Sequence, residues 1–218
     1  MSAGRARVAV LVSGEGSNLQ ALIDASRAGK IAAEIALVVS NRGAARGLDR
    51  ARAAGIPALH LPAQRGAERA VYDEALAAAL AEHALDLLVL AGFMRIFTPA
   101  FVERFAGRML NIHPSLLPKY PGLDTHRRVL ESGDRVHGAT VHFVTAELDA
   151  GPAVIQYRIP VRSNDTPESL AARVHPGEHL ILPRAVDWLA TGRLRLDGGA
   201  VILDGKRLHG PVIVEGEG

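Results

Sequence analysis

Residues 110–122 read Leu-Asn-Ile-His-Pro-Ser-Leu-Leu-Pro-Lys-Tyr-Pro-Gly, a short strand-like run that leads into a proline-rich loop. In a strand, residues two apart share a face, so Asn111 and His113 point together while their apolar neighbours point the other way. Pro114 keeps His113 out of the helical region and ends regular pairing. An amide and an imidazole side by side suit negative charge on a carbonyl oxygen. A His-Pro turn beside a hydrogen-bonded asparagine is the simpler alternative.

Apolar strands alternate with helical patterns on both sides of this run. Continuous apolar runs are typical of parallel strands covered on both faces, and they occur at 8–12, 35–39 and 85–90, with a weaker one at 56–61. Later in the chain, 139–144 alternates, and a further strand is predicted to follow it as a hairpin-like partner. The sequence therefore predicts an α/β fold: a Rossmann-like open sheet, mostly parallel, with antiparallel strands in the C-terminal half.

Helical spacing fills the gaps between these strands. The predicted helices include residues 47–54, 67–84 and 125–130, and a long helix that opens at Thr166. The second of them is alanine-rich, and its apolar stripe is predicted to consist of Val71, Ala75, Leu76 and Leu80. Near the C-terminus, 193–196 and 201–203 predict a hairpin, and the last residues are expected to be frayed.

A glycine loop follows the first strand. Strand, glycine loop and helix form the geometry in which backbone N–H groups and a helix N-terminus receive a phosphate. A dinucleotide fingerprint would need a third glycine at position 19, which is Leu19. The loop therefore favours a single phosphate monoester. A plain glycine turn with Ser17 as the helix N-cap remains the alternative.

Composition excludes several classes of protein. The chain has 218 residues, 48% of them hydrophobic, a net charge of +2 and no cysteine. Without cysteine there is no disulfide, thiolate metal site or Cys nucleophile, and the nine histidines show no metal-ligand spacing, so no metal is expected. No stretch approaches the ~20 apolar residues of a membrane span, and no targeting signal is visible. We therefore expect a cytoplasmic protein without membrane or nucleic-acid partners.

The sequence from Asn111 to Pro118, Asn-Ile-His-Pro-Ser-Leu-Leu-Pro, is similar to the signature of folate-dependent formyltransferases. The resemblance covers almost the whole chain, including 13–18, 90–96 and 137–152. Residues 119–122, Lys-Tyr-Pro-Gly, resemble the branch that formylates glycinamide ribonucleotide in purine synthesis. The resemblance implies small-molecule substrates and 10-formyltetrahydrofolate as co-substrate. The sequence does not determine the oligomeric state, and a homodimer is one candidate. No internal repeat, low-complexity linker or composition break is visible, so we expect a single domain, 1–218, with a phosphate-binding half (about 1–108) and a catalytic and folate-binding half (about 109–218).

The resemblance also assigns site residues. The implied catalytic residues are Asn111, His113 and Asp149, with Asp149 keeping His113 protonated. The implied ribonucleotide ligands are Gly16, Ser17, Asn18 and Glu178. The implied folate contacts are Arg69, Met94, Arg95, Ile96, Phe97, Asn111, Thr145, Ala146, Glu147, Leu148 and Asp149. Without the resemblance, Asp149 is most simply a turn former, Arg69 a solvated surface residue and 94–97 ordinary core.

Three positions depart from the family pattern. Glu15 brings a carboxylate to the glycine loop, where it would repel a phosphate unless it turns away. Phe97 stands in place of an expected leucine. Pro176-Gly177 interrupts the long helix, so a kink or break is expected between Val174 and Glu178, which leaves the placement of Glu178 in doubt.

Other functions remain open on sequence alone. Methionyl-tRNA formyltransferase usually continues into an RNA-binding domain, and formyltetrahydrofolate hydrolase usually starts with a regulatory domain; neither extension is expected here. A different class is a non-catalytic folate- or nucleotide-binding module that kept the fold. The joint presence of Asn111, His113 and Asp149 argues against an idle site.

Overall fold

The computed structural model describes residues 4–63 and 66–216. Its strands are β1 (Ala6–Val12), β2 (Ala33–Ser40), β3 (Ala58–His60), β4 (Leu87–Leu90), β5 (Met109–His113), β6 (Val136–Phe143), β7 (Ala153–Pro160), β8 (Leu194–Asp197), β9 (Ala200–Leu203), β10 (Lys206–Arg207) and β11 (Val212–Glu215). Its helices are α1 (Ser17–Arg27), α2 (Arg46–Ala53), α3 (Arg69–Ala81), α4 (Pro99–Arg104), α5 (Thr125–Ser132) and α6 (Pro167–Ala190).

The main sheet has eight strands in the order β11-β7-β6-β5-β4-β1-β2-β3. Its pairs are parallel except β5–β6 and β6–β7, which are antiparallel. A second, three-stranded sheet contains β8, β9 and β10. The predicted fold class, an open and mostly parallel sheet with antiparallel strands in the C-terminal half, is confirmed.

Both faces of β1 are buried, which explains its unbroken apolar sequence. Val8, Val10 and Val12 point into a core that also holds buried residues of α1 and α6. Ala9 and Leu11 point into a second core, beneath α3 and α4. Helices therefore cover the sheet on both sides, and the strand ends are left to carry the site.

The hydrophobic core is continuous across the predicted junction of the two halves. The larger cluster of buried side chains draws on β1 and β2 as well as on β6, β7 and α6. The division near residue 108 stays a prediction about binding roles.

Helix α6 corrects one expectation. It is unbroken from Pro167 to Ala190 although Pro176 and Pro183 lie inside it. Each proline lacks the N–H that would donate to the preceding turn, but the helix packs along its length against the sheet and α1. Gly177 has a packing reason, because a Cβ there would lie 1.8 Å from Cδ1 of Tyr157. The break expected before Glu178 is absent.

Two further expectations were wrong in detail. Helix α3 buries Tyr72, Asp73, Leu76 and Leu80, whereas Val71 is 57% exposed and Ala75 is also exposed. The predicted apolar stripe was therefore wrong at its start, where Tyr72 is buried in place of Val71. The segment expected to be frayed forms two strands: β10 pairs with β9, and β11 pairs in parallel with β7. The predicted hairpin of β8 and β9 is confirmed.

In the described ranges, 4–63 and 66–216, no helix combines the length and apolar character that crossing a bilayer requires.

Candidate active site

The carboxyl ends of the central strands open onto a cavity of about 600 Å³. Open α/β sheets bind their ligands at this edge. The walls come from the start of α1, the loops after β4 and β5, the β6–β7 loop and the inner face of α6. The residues that line it include Asn18, Asn111, His113, Leu123, His126, Asp149, His175 and Glu178. One continuous cavity thus joins the region of the glycine loop to the residues predicted to be catalytic.

His113 lies at the end of β5 and is 6% exposed. Its Nε2 lies 2.9 Å from the carbonyl oxygen of Tyr120. Because a carbonyl only accepts, Nε2 must carry a proton. Its Nδ1 lies 3.4 Å from Oδ2 of Asp149, where a second proton would complete an ion pair. The two oxygen neighbours together suit the imidazolium form.

Asn111 is oriented by His142, which lies opposite it in the β5–β6 register. The Nδ1–H of His142 donates to the carbonyl oxygen of Phe143 at 2.9 Å, so Nε2 of the neutral ring is an acceptor. The side-chain amide of Asn111 donates to that Nε2 at 3.0 Å. Burial lowers the pKa of His142, which favours this neutral form. The other N–H of the Asn111 amide has no acceptor among the residues that the structure describes.

Asp149 connects two loops at the floor of the cavity. Its Oδ2 accepts a hydrogen bond from the backbone N–H of Gly122 at 2.8 Å and faces His113. Its backbone is left-handed, with φ of 52°. Its side chain is 8% exposed. The structure therefore brings Asn111, His113 and Asp149 together, and the catalytic roles that the resemblance implies for them stay a prediction.

Glu178 reaches the same cavity from α6. It is 5% exposed, and its Oε2 accepts a hydrogen bond of 2.7 Å from the side-chain amide of Asn18. Burial raises the pKa of Glu178, and the hydrogen bond from Asn18 opposes that rise. The Oδ1 of Asn18 is buried without a hydrogen-bond partner among the described residues. Asn18 thus presents a free acceptor while it holds the carboxylate of Glu178.

The glycine loop turns sharply into α1. Gly16 has φ of 73° and occupies the N-cap position of α1 without a side-chain cap. A Cβ at Gly16 would lie 2.7 Å from Cα of Gly47. The alternative with Ser17 as N-cap is wrong, because Ser17 is the first residue of the helix. The uncapped N–H groups at this end are the kind that receive an anion.

Glu15 turns toward α2. Its carboxylate lies 2.8 Å from Nη2 of Arg50 and 3.3 Å from Nη1 of Arg46. Arg50 also donates through Nε to the backbone oxygen of Glu15, at 2.8 Å. These two arginines offset the negative charge that made Glu15 a concern beside a phosphate.

A second, smaller cavity of about 80 Å³ adjoins the first and shares Asn111 with it. Its walls are Leu90, Phe93, Arg95, Ile96, Phe97, Val102, Asn111, His142, Val144, Thr145, Ala146, Glu147, Leu148 and Asp149. The rings of Phe93 and Phe97 stack with centroids 5.5 Å apart. The result is a narrow, mostly apolar slot with polar groups at one end.

Most of the predicted folate residues line this slot, and two do not. Met94 lines only the larger cavity and is 55% exposed. Arg69 begins α3 and is not among the described side chains that line either cavity. The guanidinium of Arg95 lies 4.2 Å from the ring centroid of Tyr72, and its Nε is buried without a partner among the described residues.

Several residues of the site were not predicted from the sequence. His175 precedes Glu178 by three positions, so helical spacing would have placed both on one face of α6. His126 also lines the cavity, and its Nδ1 lies 2.9 Å from Nε2 of His137. Burial, reinforced by neighbouring histidines, lowers the pKa of each of these two rings to about 4. No sequence pattern could have predicted that the carbonyl of Tyr120 faces His113, because its position depends on the geometry of the loop.

No three His, Asp or Glu side chains within 4–63 and 66–216 converge as a metal-ligand set.

Similarity to known proteins agrees with this geometry. The model of the formyl transferase family matches residues 6–186. The phosphoribosylglycinamide formyltransferase of Escherichia coli K12 is 52% identical over 201 residues, which cover 92% of this chain and 95% of that protein. The structure of the Coxiella burnetii phosphoribosylglycinamide formyltransferase matches with a TM-score of 0.91 and 46% identity, over 96% of this chain and 99% of that one.

A relative with a different reaction is more distant. The formyltetrahydrofolate deformylase of Pseudomonas syringae has a TM-score of 0.85 and 27% identity, over 93% of this chain and 67% of that one. Since the family model spans most of the chain and the E. coli relative matches it almost end to end, the chain belongs to the formyl transferase family.

Proposed function

We propose that this chain transfers a formyl group from 10-formyltetrahydrofolate to the amine of glycinamide ribonucleotide, a step of purine biosynthesis. One observation carries the proposal: a single cavity joins Asn18 and Glu178 to Asn111, His113 and Asp149. This is the space that two substrates need in order to meet. The E. coli and C. burnetii relatives have this activity in their names.

The ribonucleotide binds at the α1 side of the cavity. Its phosphate docks on the backbone N–H groups of Gly16, Ser17 and Asn18, where the uncapped helix end attracts an anion. Its amine lies near Glu178, whose carboxylate is held in place by Asn18. The free Oδ1 of Asn18 accepts a hydrogen bond from the ribonucleotide.

The folate binds on the opposite side. Its flat pteridine suits the slot, which is narrow and apolar between Phe93, Phe97 and Val102. Residues 145–149 supply backbone groups along one wall. The remaining folate assignments, Met94, Arg95, Ile96 and Asn111, surround the passage between the slot and the larger cavity. Arg69 would have to act from outside both.

The reaction forms one bond and breaks another. The neutral amine attacks the formyl carbon, and the bond from that carbon to N10 of the folate then breaks. Asn111 donates its free amide N–H to the formyl oxygen as negative charge develops there. Protonated His113 donates to the same oxygen and supplies a proton toward the leaving nitrogen. Asp149 keeps His113 charged and receives the proton of the amine through water.

Both ring nitrogens of His113 already face oxygen atoms, Tyr120 O and Asp149 Oδ2. A substrate oxygen must therefore replace one of them. The contact to Asp149 preserves the charge of the ring, so the formyl oxygen takes the place of the Tyr120 carbonyl at Nε2.

The test is to mix the purified chain with both substrates and follow the release of tetrahydrofolate and formylated ribonucleotide. Release that depends on the ribonucleotide supports the proposal. Release of formate without the ribonucleotide would make the chain a hydrolase, and formylation of methionyl-tRNA instead would make it a tRNA enzyme. Binding of either substrate without turnover would leave only a binding module.

The location and assembly of the chain complete the proposal. It acts on small molecules in the cytoplasm, without a nucleic-acid or membrane partner, as one domain with the two binding halves described above. A homodimer is a candidate assembly, and light scattering at several protein concentrations decides between one copy and two.

A further inference from the structure

Tyr120 makes two sets of contacts, one through its backbone and one through its side chain. Its backbone carbonyl lies 2.9 Å from Nε2 of His113. Its side chain points the other way, and its hydroxyl donates to Oδ2 of Asp134 at 2.7 Å and lies 2.6 Å from Oγ of Ser132. One residue therefore links the ring of His113 to the turn that follows α5.

The backbone of Tyr120 is in a conformation that needs support. Its φ is 57°, in the left-handed region that bulky side chains seldom adopt. Such a conformation persists where surrounding contacts determine it. The ring packs against the core, and the guanidinium of Arg128 lies 5.4 Å from its centroid.

The neighbouring residues hold the same loop. Arg128 donates to the backbone oxygen of Pro121 at 2.6 Å, and Lys119 donates to Oδ2 of Asp134 at 2.7 Å. Asp134 thus receives hydrogen bonds from Lys119 and Tyr120 on one oxygen. The hydrogen bonds from Lys119 and Tyr120 lower the pKa of Asp134, so it is a charged acceptor at neutral pH.

We propose that Tyr120 is a positioning residue for His113: Asp134 anchors its side chain, and this anchor holds the carbonyl that orients the imidazole. Nε2 of His113 is kept protonated and aimed before substrate arrives. The formyl oxygen then takes over a hydrogen bond whose direction is already set. This inference rests on the proposed function, because it assigns a role in the same reaction.

The main test compares Tyr120→Phe, Tyr120→Gly and wild type by steady-state kinetics. Tyr120→Phe removes only the hydroxyl, and kcat is expected to fall about 3-fold to 10-fold. Glycine tolerates the left-handed backbone but removes the anchor, and kcat is expected to fall about 10-fold to 100-fold because the ring is misplaced. KM for both substrates stays within about 2-fold of wild type, since neither variant removes a proposed substrate contact.

A double-mutant cycle tests the anchor itself. Asp134→Ala is expected to lower kcat by the same factor as Tyr120→Phe, and the double variant by no more than either single change. Glu131→Ala is the matched control, because it removes an exposed carboxylate three residues from Asp134 that pairs with Arg127 and makes no contact with Tyr120 among the described residues. Its kcat is expected to match wild type.

Ring ¹⁵N spectra of His113 provide a readout that a merely structural role would not move. At a pH where the ring is neutral, the wild-type spectra are expected to show one tautomer, with the proton on Nε2. In Tyr120→Gly they are expected to show a mixture of both tautomers.

Failure of the inference and failure of the proposed function are distinguishable. A wild-type chain that transfers no formyl group overturns the function. An active wild type with unchanged kcat in Tyr120→Gly, or with the Nε2 tautomer intact in that variant, overturns only the role of Tyr120. A fall in kcat that merely follows a lower folded fraction, measured by thermal unfolding, also overturns it.

Discussion

Two loops, at the carboxyl ends of β1 and β5, are held in different ways. The loop after β1 depends on close backbone approach: the N–H of Gly47 donates to the oxygen of Gly14, and Gly16 packs against Gly47, while Arg50 adds a side-chain hydrogen bond to the oxygen of Glu15. The loop after β5 is fixed by buried side chains. Oγ1 of Thr140 donates to the oxygen of Ser115 at 2.6 Å, and Nε2 of Gln156 donates to the oxygen of Leu117 at 2.8 Å.

The difference matches what each loop is proposed to do. A loop that receives a phosphate on its N–H groups needs close backbone approach, which glycine permits. A loop that orients an imidazole needs rigid support from side chains that are themselves fully bonded. Substitutions in each loop and a change of pH test this contrast.

The largest effect is expected at His113, the residue that the loop after β5 is proposed to orient. Replacing His113 with alanine removes the donor to the formyl oxygen, so turnover is expected to fall about 10²-fold to 10⁴-fold. Tetrahydrofolate release under saturating substrates measures the change. His209→Ala, an exposed site, is the control and should retain full turnover. Unchanged turnover in His113→Ala would show that the loop does not carry the chemistry.

The buried support of the second loop is tested at Thr140. Thr140→Val keeps the shape but removes a hydroxyl that donates to Ser115 and accepts from Leu117 and Gln156. Leaving these buried groups unpaired is expected to reduce the free energy of unfolding by about 3 kcal/mol, read from urea titrations. Thr191→Val, at the exposed end of α6, should change it by less than about 1 kcal/mol. Equal effects at both sites would mean that the buried hydroxyl is not a support.

The first loop is tested at Gly16. Gly16→Ala drives a Cβ against Gly47 and shifts the N–H groups of the loop, so KM for the ribonucleotide is expected to rise about 10-fold. Gly29→Ala is a matched control, since its φ of 66° is equally left-handed but nothing lies within 4 Å of the added Cβ. The control should lose some stability without changing KM. A rise in KM for the folate alone would contradict the phosphate assignment.

The smallest effect is a pH dependence of stability that comes from two histidines near the loop after β5. Because the pKa of His126 and of His137 is about 4 in the folded chain and 6.5 when unfolded, the unfolded state binds more protons as pH falls below 6.5. Stability is therefore present above pH 6.5 and is lost progressively toward pH 4.

Between pH 7.5 and 5.5 the free energy of unfolding is expected to fall by about 1 kcal/mol from these rings, a figure reduced for the partial exposure of His126. Urea titrations of wild type and of His126→Phe/His137→Leu measure the slope. The double variant should show a shallower dependence on pH. An identical slope would assign the effect to other groups.

Much of the fold was predictable because the spacing of apolar residues along the sequence follows which faces of the strands and helices are buried. The continuous apolar run of β1 and the alternation in β5 follow from sheet faces, and both were assigned correctly. Strand β11 was missed because its stability comes from pairing with the distant β7. Helix α6 was expected to break at Pro176 because local propensity ignores the packing of Gly177 against Tyr157.

The residues of the site also divide into those that were predicted and those that were not. Asn111 and His113 were assigned by strand alternation, and Asp149 and Glu178 by family resemblance. The direction of Glu15 was not predictable, since it depends on Arg46 and Arg50 in a different helix. The carbonyl of Tyr120 was equally hidden, because any residue type has one, and only the loop conformation aims it at His113.

The parallel strand β11 has a consequence for handling the protein. It pairs with residues 155–158 of β7, half of an eight-residue strand whose outer N–H and C=O groups would otherwise be unpaired. Unpaired strand edges of this kind recruit other chains into shared sheets and fibrils. Trimming residues 209–216 is therefore expected to leave the proposed catalytic groups in place and to increase aggregation on storage.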